Sequence, residues 1–163
     1  MLLTFNDMSK EDMYRMVHSV YSEASYEIAK EKYPEMQDLS EAIQEEEYYF
    51  VEKFLGKFMN KDENTYYVWE ANGEWVSALR ITKLDGFYFM EALETAPEHR
   101  KKGYASELIK ALIQKFKETG HFVIRSNVRK INSASLATHK KCGFVIEEEN
   151  GTNDCFYGML YHE

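Results

Sequence analysis

Only two prolines and two cysteines occur among the 163 residues. With so little proline and no stretch rich in Pro, Gly and Ser, no linker divides the chain. One domain over residues 1–163 is expected. Cys142 and Cys155 form no CxxC and no metal-ligand spacing, so reduced thiols in the cytoplasm are the simplest reading. No apolar run approaches membrane-spanning length, and residues 1–7 lack the basic region of a secretory leader. Neither a membrane nor export is therefore expected. Basic residues are outnumbered: 20 Lys and Arg stand against 28 Asp and Glu, a formal net charge of -8. Nucleic-acid binding needs a cationic footprint, which this balance disfavours. His18, His99, His121 and His162 are not spaced as metal ligands, and no metal is predicted. No internal repeat is visible.

What the chain does have is aromatic bulk. Twelve Tyr and ten Phe can fill a substantial core at this length, which excludes a disordered chain. A first strand is expected at residues 2–5. Ser9-Lys10-Glu11-Asp12 resembles a capping box with Asp in place of Glu, followed by a helical stripe of Met13, Met16, Val17, Val20, Tyr21 and Ala24. Pro34 ends any continuation. Asp38-Leu39-Ser40-Glu41 starts a second helix, with Ile43, Phe50, Phe54 and Phe58 along one side. Strands follow at 65–70 and 75–83 around an Asn72-Gly73 hairpin turn, and a third at 87–93 after Asp85-Gly86. Ala105, Leu108, Ile109, Leu112, Ile113 and Phe116 then form one apolar helix face. A strand at 120–126, a short helix from Asn132, and strands near 144–148 and 155–161 complete the order β-α-α-β-β-β-α-β-α-β-β. That is an α+β class.

The most informative stretch lies between the strand at 87–93 and the long helix: Pro97-Glu98-His99-Arg100-Lys101-Lys102-Gly103-Tyr104-Ala105. A helix start leaves its first N–H groups unpaired and carries partial positive charge, so it attracts anions. Gly103 adds no side chain that would block a close approach. Arg100-x-x-Gly103-x-Ala105 resembles the Arg/Gln-x-x-Gly-x-Gly/Ala signature of the GCN5-related N-acetyltransferase family. A second segment, from Asn132 through Ser135 and His139 to Gly143-Phe144, is similar to that family's Asn-x-x-Ala-x-x-x-Tyr-x-x-x-Gly-Phe pattern. The resemblance covers roughly residues 65 to 162; the first sixty match in outline only.

The resemblance implies a GNAT-type acyl-CoA N-acyltransferase fold, with a central mixed, mostly antiparallel sheet flanked by helices. It implies acetyl-CoA as cosubstrate, its pyrophosphate held by Arg100, Lys101, Lys102, Gly103, Tyr104, Ala105 and Ser106. Pantetheine and thioester would meet backbone groups of Leu93, Glu94 and Thr95, where the family's strand splays or bulges. Asn132, Ser135 and His139 complete the expected coenzyme contacts. A second basic cluster, Arg125, Arg129 and Lys130, reads as surface charge or as a contact for the coenzyme's 3′-phosphate. Bulging also fits an oddity of this strand: strict alternation would put Glu91 on one face with Phe87, Phe89, Leu93 and Thr95.

An alkylamine has a pKa near ~10.4, so a transferase must take up its proton. Glu91 is the first choice for that base, Glu94 the alternate, and a water chain a third route. His139 stands where the family carries a Tyr that protonates the departing thiolate. Imidazole can do this; so could Tyr104 or Tyr157, with His139 only packing. The expected activity is transfer of the acetyl group directly to a primary amine of a small molecule or peptide. The alternative is an acetyl-CoA-binding sensor or interaction module without efficient transfer. Glu45-Glu46-Glu47 with Tyr48 and Tyr49 would favour a cationic acceptor if the row faces the pocket, and is otherwise a solvated helix face. A monomer and a homodimer are both compatible with the sequence.

Gly103→Pro fixes φ and deletes an N–H at the expected phosphate site. Calorimetric titration should then detect no acetyl-CoA binding; affinity equal to wild type would remove the cradle.

Overall fold

The computed structural model describes residues 1–162. In chain order it comprises β1 (Leu2–Phe5), α1 (Lys10–Val20), α2 (Ser22–Lys32), α3 (Ser40–Tyr49), a π-helical turn (Phe50–Leu55) and α4 (Gly56–Met59). Next come β2 (Asn64–Ala71), β3 (Glu74–Leu84), β4 (Phe87–Thr95), a 3-10 turn (Pro97–His99) and α5 (Tyr104–Lys117). β5 (Val123–Arg129), α6 (Ser133–Lys141), β6 (Val145–Glu147) and β7 (Phe156–His162) complete the described residues. The seven strands form one sheet in the order β1-β2-β3-β4-β5-β7-β6. Only β4 and β5 pair in parallel; the other neighbours are antiparallel. This is the α+β architecture expected, a mostly antiparallel mixed sheet flanked by helices.

Alternation along the strands separates two cores. In β2, Tyr66 and Val68 join Met16, Val17, Val20 and Leu55 on the face covered by α1 and the π-helical turn. Tyr67 points the other way, into a second core with Leu79, Ile81, Met90 and the α5 residues Leu108, Ile109 and Leu112. The α5 spacing of i, i+1 and i+4 places these three on one helix face, and each is fully buried. Ser9 caps α1, its hydroxyl oxygen accepting the Asp12 N–H at 3.0 Å. Asn72 (φ 54°) and Gly73 (φ 83°) supply the two left-handed residues of the β2–β3 hairpin.

Three local expectations shift. The first helical stripe runs through Tyr21 but stops before Ala24, which is exposed, because the helix breaks at Tyr21 and α2 buries Ser25 and Ala29 instead. In the second helical region the inward residues are Ala42, Val51, Leu55 and Met59, whereas Phe54 is exposed. The π-helical turn delays the register there, so the phase of a regular helix does not carry through. The strand expected from 120 begins at Val123.

Leu112→Ala would leave a cavity between α5 and the sheet at a site with no access to solvent. Urea unfolding should show a loss of about 3 kcal/mol.

Candidate active site

β4 pairs with β5 at three positions only: Tyr88 with Ile124, Phe89 with Arg125 and Met90 with Ser126. Beyond Met90 the two strands part. On its other edge β4 stays against β3, but with an irregularity. Arg80 faces Glu91 and Ala78 faces Glu94, so Leu79 alone stands opposite both Ala92 and Leu93. Ala92 takes φ 52°, left-handed for a residue with a Cβ. The extra residue re-phases the strand. Leu93 packs with Met90 and Tyr88 on the α5 side, while Ala92 packs on the α1 side. Strict alternation of Phe87, Phe89, Glu91, Leu93 and Thr95 on one face therefore fails at the bulge.

The gap opens onto the start of α5. Lys101 (φ 62°) and Gly103 (φ 89°) both adopt left-handed conformations in the turn that enters the helix. No side chain caps α5, and its first closing bond is Glu107 N–H to Gly103 O at 3.1 Å. The N–H groups of the first turn consequently have no intrahelical acceptor. A Cβ built on Gly103 meets nothing within 4 Å, so the space before it is open. A cavity of about 670 Å³ joins Leu93, Glu94 and Thr95 of β4 to Arg100, Lys101, Gly103 and the start of α5. Its far wall is α6, through Asn132, Ser135 and Thr138. Open amides, the positive end of a fourteen-residue helix and nearby lysine suit an anionic diphosphate, and the volume falls within the ~300–1,000 Å³ of ligand sites.

Arg100 ties this loop to its surroundings. Its Nε donates to Thr95 O at 3.1 Å, one terminal nitrogen donates to Glu23 at 3.0 Å, and the other donates both to the second Glu23 oxygen and to Glu94, the latter at 3.1 Å. The guanidinium hydrogen-bonds the Glu23 carboxyl and holds its pKa below the ordinary value. Glu94 also accepts the Thr95 N–H at 3.2 Å. Glu91 lies on the other side of the bulge, where its carboxylate accepts from Arg80 Nε at 2.7 Å. The Arg80 guanidinium in turn stacks over Phe54 and Phe58, 4.6 and 4.9 Å from the ring centroids.

Asn132 caps α6, its side chain accepting the Ser135 N–H at 3.0 Å. His139 sits one turn on, but its ring is buried, at 1% exposure, and does not line the cavity. Nδ1 lies 2.8 Å from Ser135 O, an acceptor only, so Nδ1 carries the proton. Nε2 then accepts from Ser126 Oγ at 3.2 Å. Burial lowers the pKa of the ring, against a smaller opposing effect of the Ser135 carbonyl. Both nitrogens are thus engaged around a neutral imidazole.

The family model described as Acetyltransferase (GNAT) family matches residues 22–144. The chain belongs to the GNAT acetyltransferase family. No curated protein matches this GNAT chain significantly in sequence. Among solved structures it is similar to PaiA N-acetyltransferase from Thermoplasma acidophilum in complex with coenzyme A. The TM-score is 0.70 at 16% identity, covering 100% of this chain and 99% of that one. It is also similar to a chimera of the spermidine N-acetyltransferase SpeG from Vibrio cholerae and hSSAT (0.64, 21%, covering 99% and 95%). A third is the ribosomal-protein-S18-alanine N-acetyltransferase from Escherichia coli (0.63, 13%, covering 99% and 94%). At these identities the likeness concerns the fold.

Of the residues singled out in the GNAT chain, Leu93, Glu94, Thr95, Arg100, Lys101, Gly103, Tyr104, Ala105, Ser106, Asn132 and Ser135 all border the one cavity. Lys102 instead lines a separate hollow with Arg15, Glu74 and Trp75. Arg125 pairs with Glu147 at 3.1 Å and stacks on Phe87, and Lys130 lies over Tyr157. Six further bordering residues were not among the contacts expected from the sequence: Glu23, His99, Ala134, Ala137, Thr138 and Lys141. Ala134, Ala137, Thr138 and Lys141 follow helical spacing, which could have revealed them. Glu23 has no such local signal, since it arrives from a distant helix.

Because His139 is held neutral, the unfolded chain takes up a proton that the native ring resists. Stability should fall as pH drops below about 6.5, by at most ~1.4 kcal/mol per pH unit, until the lowered native pKa is reached. Thermal melts of wild type and His139→Phe between pH 8 and pH 5 should show the wild type losing more.

Proposed function

We propose that the chain transfers the acetyl group of acetyl-CoA to a primary amine of a small molecule or peptide. What supports this reading is the meeting, at one cavity, of an uncapped helix start and the half of β4 that has left β5. When bound, the coenzyme supplies an acetyl thioester as the electrophile. The α5 amides and Lys101 offer donors and positive charge to its diphosphate. Arg100 fastens the loop through Thr95, Glu23 and Glu94. The β4 backbone at Leu93, Glu94 and Thr95 borders the region assigned to the pantetheine end, with Asn132 and Ser135 opposite.

An attacking amine must lose a proton, and two carboxylates flank the bulge. Glu94 holds the loop through Arg100. Glu91, half-exposed beside Arg80, is the first choice to accept the proton, with Glu94 and water as the other routes. For the acceptor, the acidic row of α3 is partly spent. Glu46 pairs with Lys32, and Glu47 lies 3.1 Å from His18, which ties α3 to α2 and α1. Charge selection for a cationic amine would rest instead on the excess of Glu23, Glu91 and Glu94, three carboxylates, over the two guanidinium groups of Arg80 and Arg100 that they share.

A sensor that binds acetyl-CoA without efficient transfer is favoured by one observation. The position of the family's Tyr holds a buried His139 whose nitrogens are both engaged. Tyr104, at the cavity, is the replacement proton donor under the enzyme reading.

Thiol release from acetyl-CoA in the presence of an amine panel separates these. Turnover above the amine-free background supports transfer; thermal stabilisation by the coenzyme with no turnover on any amine supports the sensor. With an accepted amine, Glu91→Gln should lower kcat by ~10²-fold or more and flatten the acid limb of the pH–rate profile. A wild-type profile in Glu91→Gln with a loss in Glu94→Gln would pass the role to Glu94.

A further inference from the structure

Tyr21 occupies the break between α1 and α2. Its N–H bonds back to Val17 O at 3.0 Å, and its own carbonyl receives the Ala24 N–H at 3.0 Å. Nothing local demands a break there: the residue is neither Gly nor Pro, and no side chain caps α2. A sequence that departs from local rules at one residue invites a tertiary explanation. The phenol supplies it. The ring is buried, 6.0 Å from the Phe50 ring, and its hydroxyl donates to Ala92 O at 2.7 Å. Burial raises the hydroxyl pKa well above the ordinary range, so the group stays a donor at any working pH.

Ala92 is the bulge residue at φ 52°. An alanine resists this conformation, which glycine adopts freely, so the surroundings must hold it. Ala92 C=O and Leu93 N–H share one trans peptide plane and point in opposite directions. A donor that fixes the carbonyl towards the α1–α2 junction therefore turns the Leu93 N–H away from it, and Leu93 borders the cavity.

We propose that Tyr21 is a positioning residue: its hydroxyl sets the Ala92–Leu93 peptide so that the Leu93 N–H faces the acyl carbonyl of the coenzyme. This deepens, and rests on, the acyl-coenzyme reading of the cavity. The role is specific to the acyl end, because the diphosphate is received elsewhere, at α5. Tyr21 thereby couples the α1–α2 corner to the point where negative charge would gather during transfer.

The test is a binding experiment that needs no turnover. Coenzyme A and acetyl-CoA are each titrated by calorimetry into wild type, Tyr21→Phe, and the double variant Tyr21→Phe with Ala92→Gly; melting temperatures are recorded for all three. Tyr21→Phe should bind coenzyme A within about twofold of wild type but acetyl-CoA about five- to tenfold more weakly, the worth of one hydrogen bond. Glycine at 92 accepts a positive φ unaided, so the double variant should regain acetyl-CoA affinity. Undiminished acetyl-CoA affinity in Tyr21→Phe overturns the proposal. So does an equal loss for both ligands, which would mark a general loosening of the cleft, and so does failure of Ala92→Gly to recover the loss. If wild type binds neither ligand, the coenzyme reading itself falls and takes this inference with it. If wild type binds both, a failure belongs to Tyr21 alone.

Discussion

Parallel pairing between β4 and β5 stops at Met90, and the candidate site exists because it stops there. A strand that leaves its neighbour gives up ladder partners for its backbone groups, which must be met by something else. In this chain the parting coincides with an extra residue on the opposite edge, where Ala92 and Leu93 both face Leu79. The bulge turns Leu93 towards α5 and Ala92 towards α1, so one local irregularity is gripped from both layers of helices. The anion-receptive start of α5 lies across the same opening.

Around that opening, three carboxylates share two guanidinium groups. Arg100 is shared between Glu23 and Glu94, and Arg80 serves Glu91. Each carboxylate near the bulge thus has a cationic partner, and each partner comes from a different element. The arrangement ties α2, the α5 entry loop, β3 and β4 together. His139 contributes differently. A buried, neutral imidazole bridging Ser135 and Ser126 fastens α6 to β5 across the far wall.

Much of this could be seen in the residues alone. The apolar spacing from Ala105 to Phe116 announced α5, and Gly103 before it announced an uncapped helix start. Asn132 announced the start of α6. The mismatch of Glu91 among apolar neighbours announced an irregular strand. The identity of the loop's partners stayed hidden, because Glu23 is 77 residues from Arg100 and neither residue's neighbours hint at the other. The same holds for Tyr21, 71 residues from the carbonyl it meets. It reads as one more apolar position on a helical stripe. Glu46 and Glu47 mislead in the opposite direction: the run looks like a single acidic surface, yet its two inner members are buried against other helices.

By itself, the order of residues determined the class of fold, the elements that carry the loop and α6, and the family. Periodicity, caps and glycine positions are local, and each acts on the backbone within a few residues. Tertiary structure alone decided where β4 bulges, which charges meet across the cleft, and that His139 faces inward with both nitrogens engaged. Those outcomes depend on contacts between distant segments, whose energies no single stretch of chain contains.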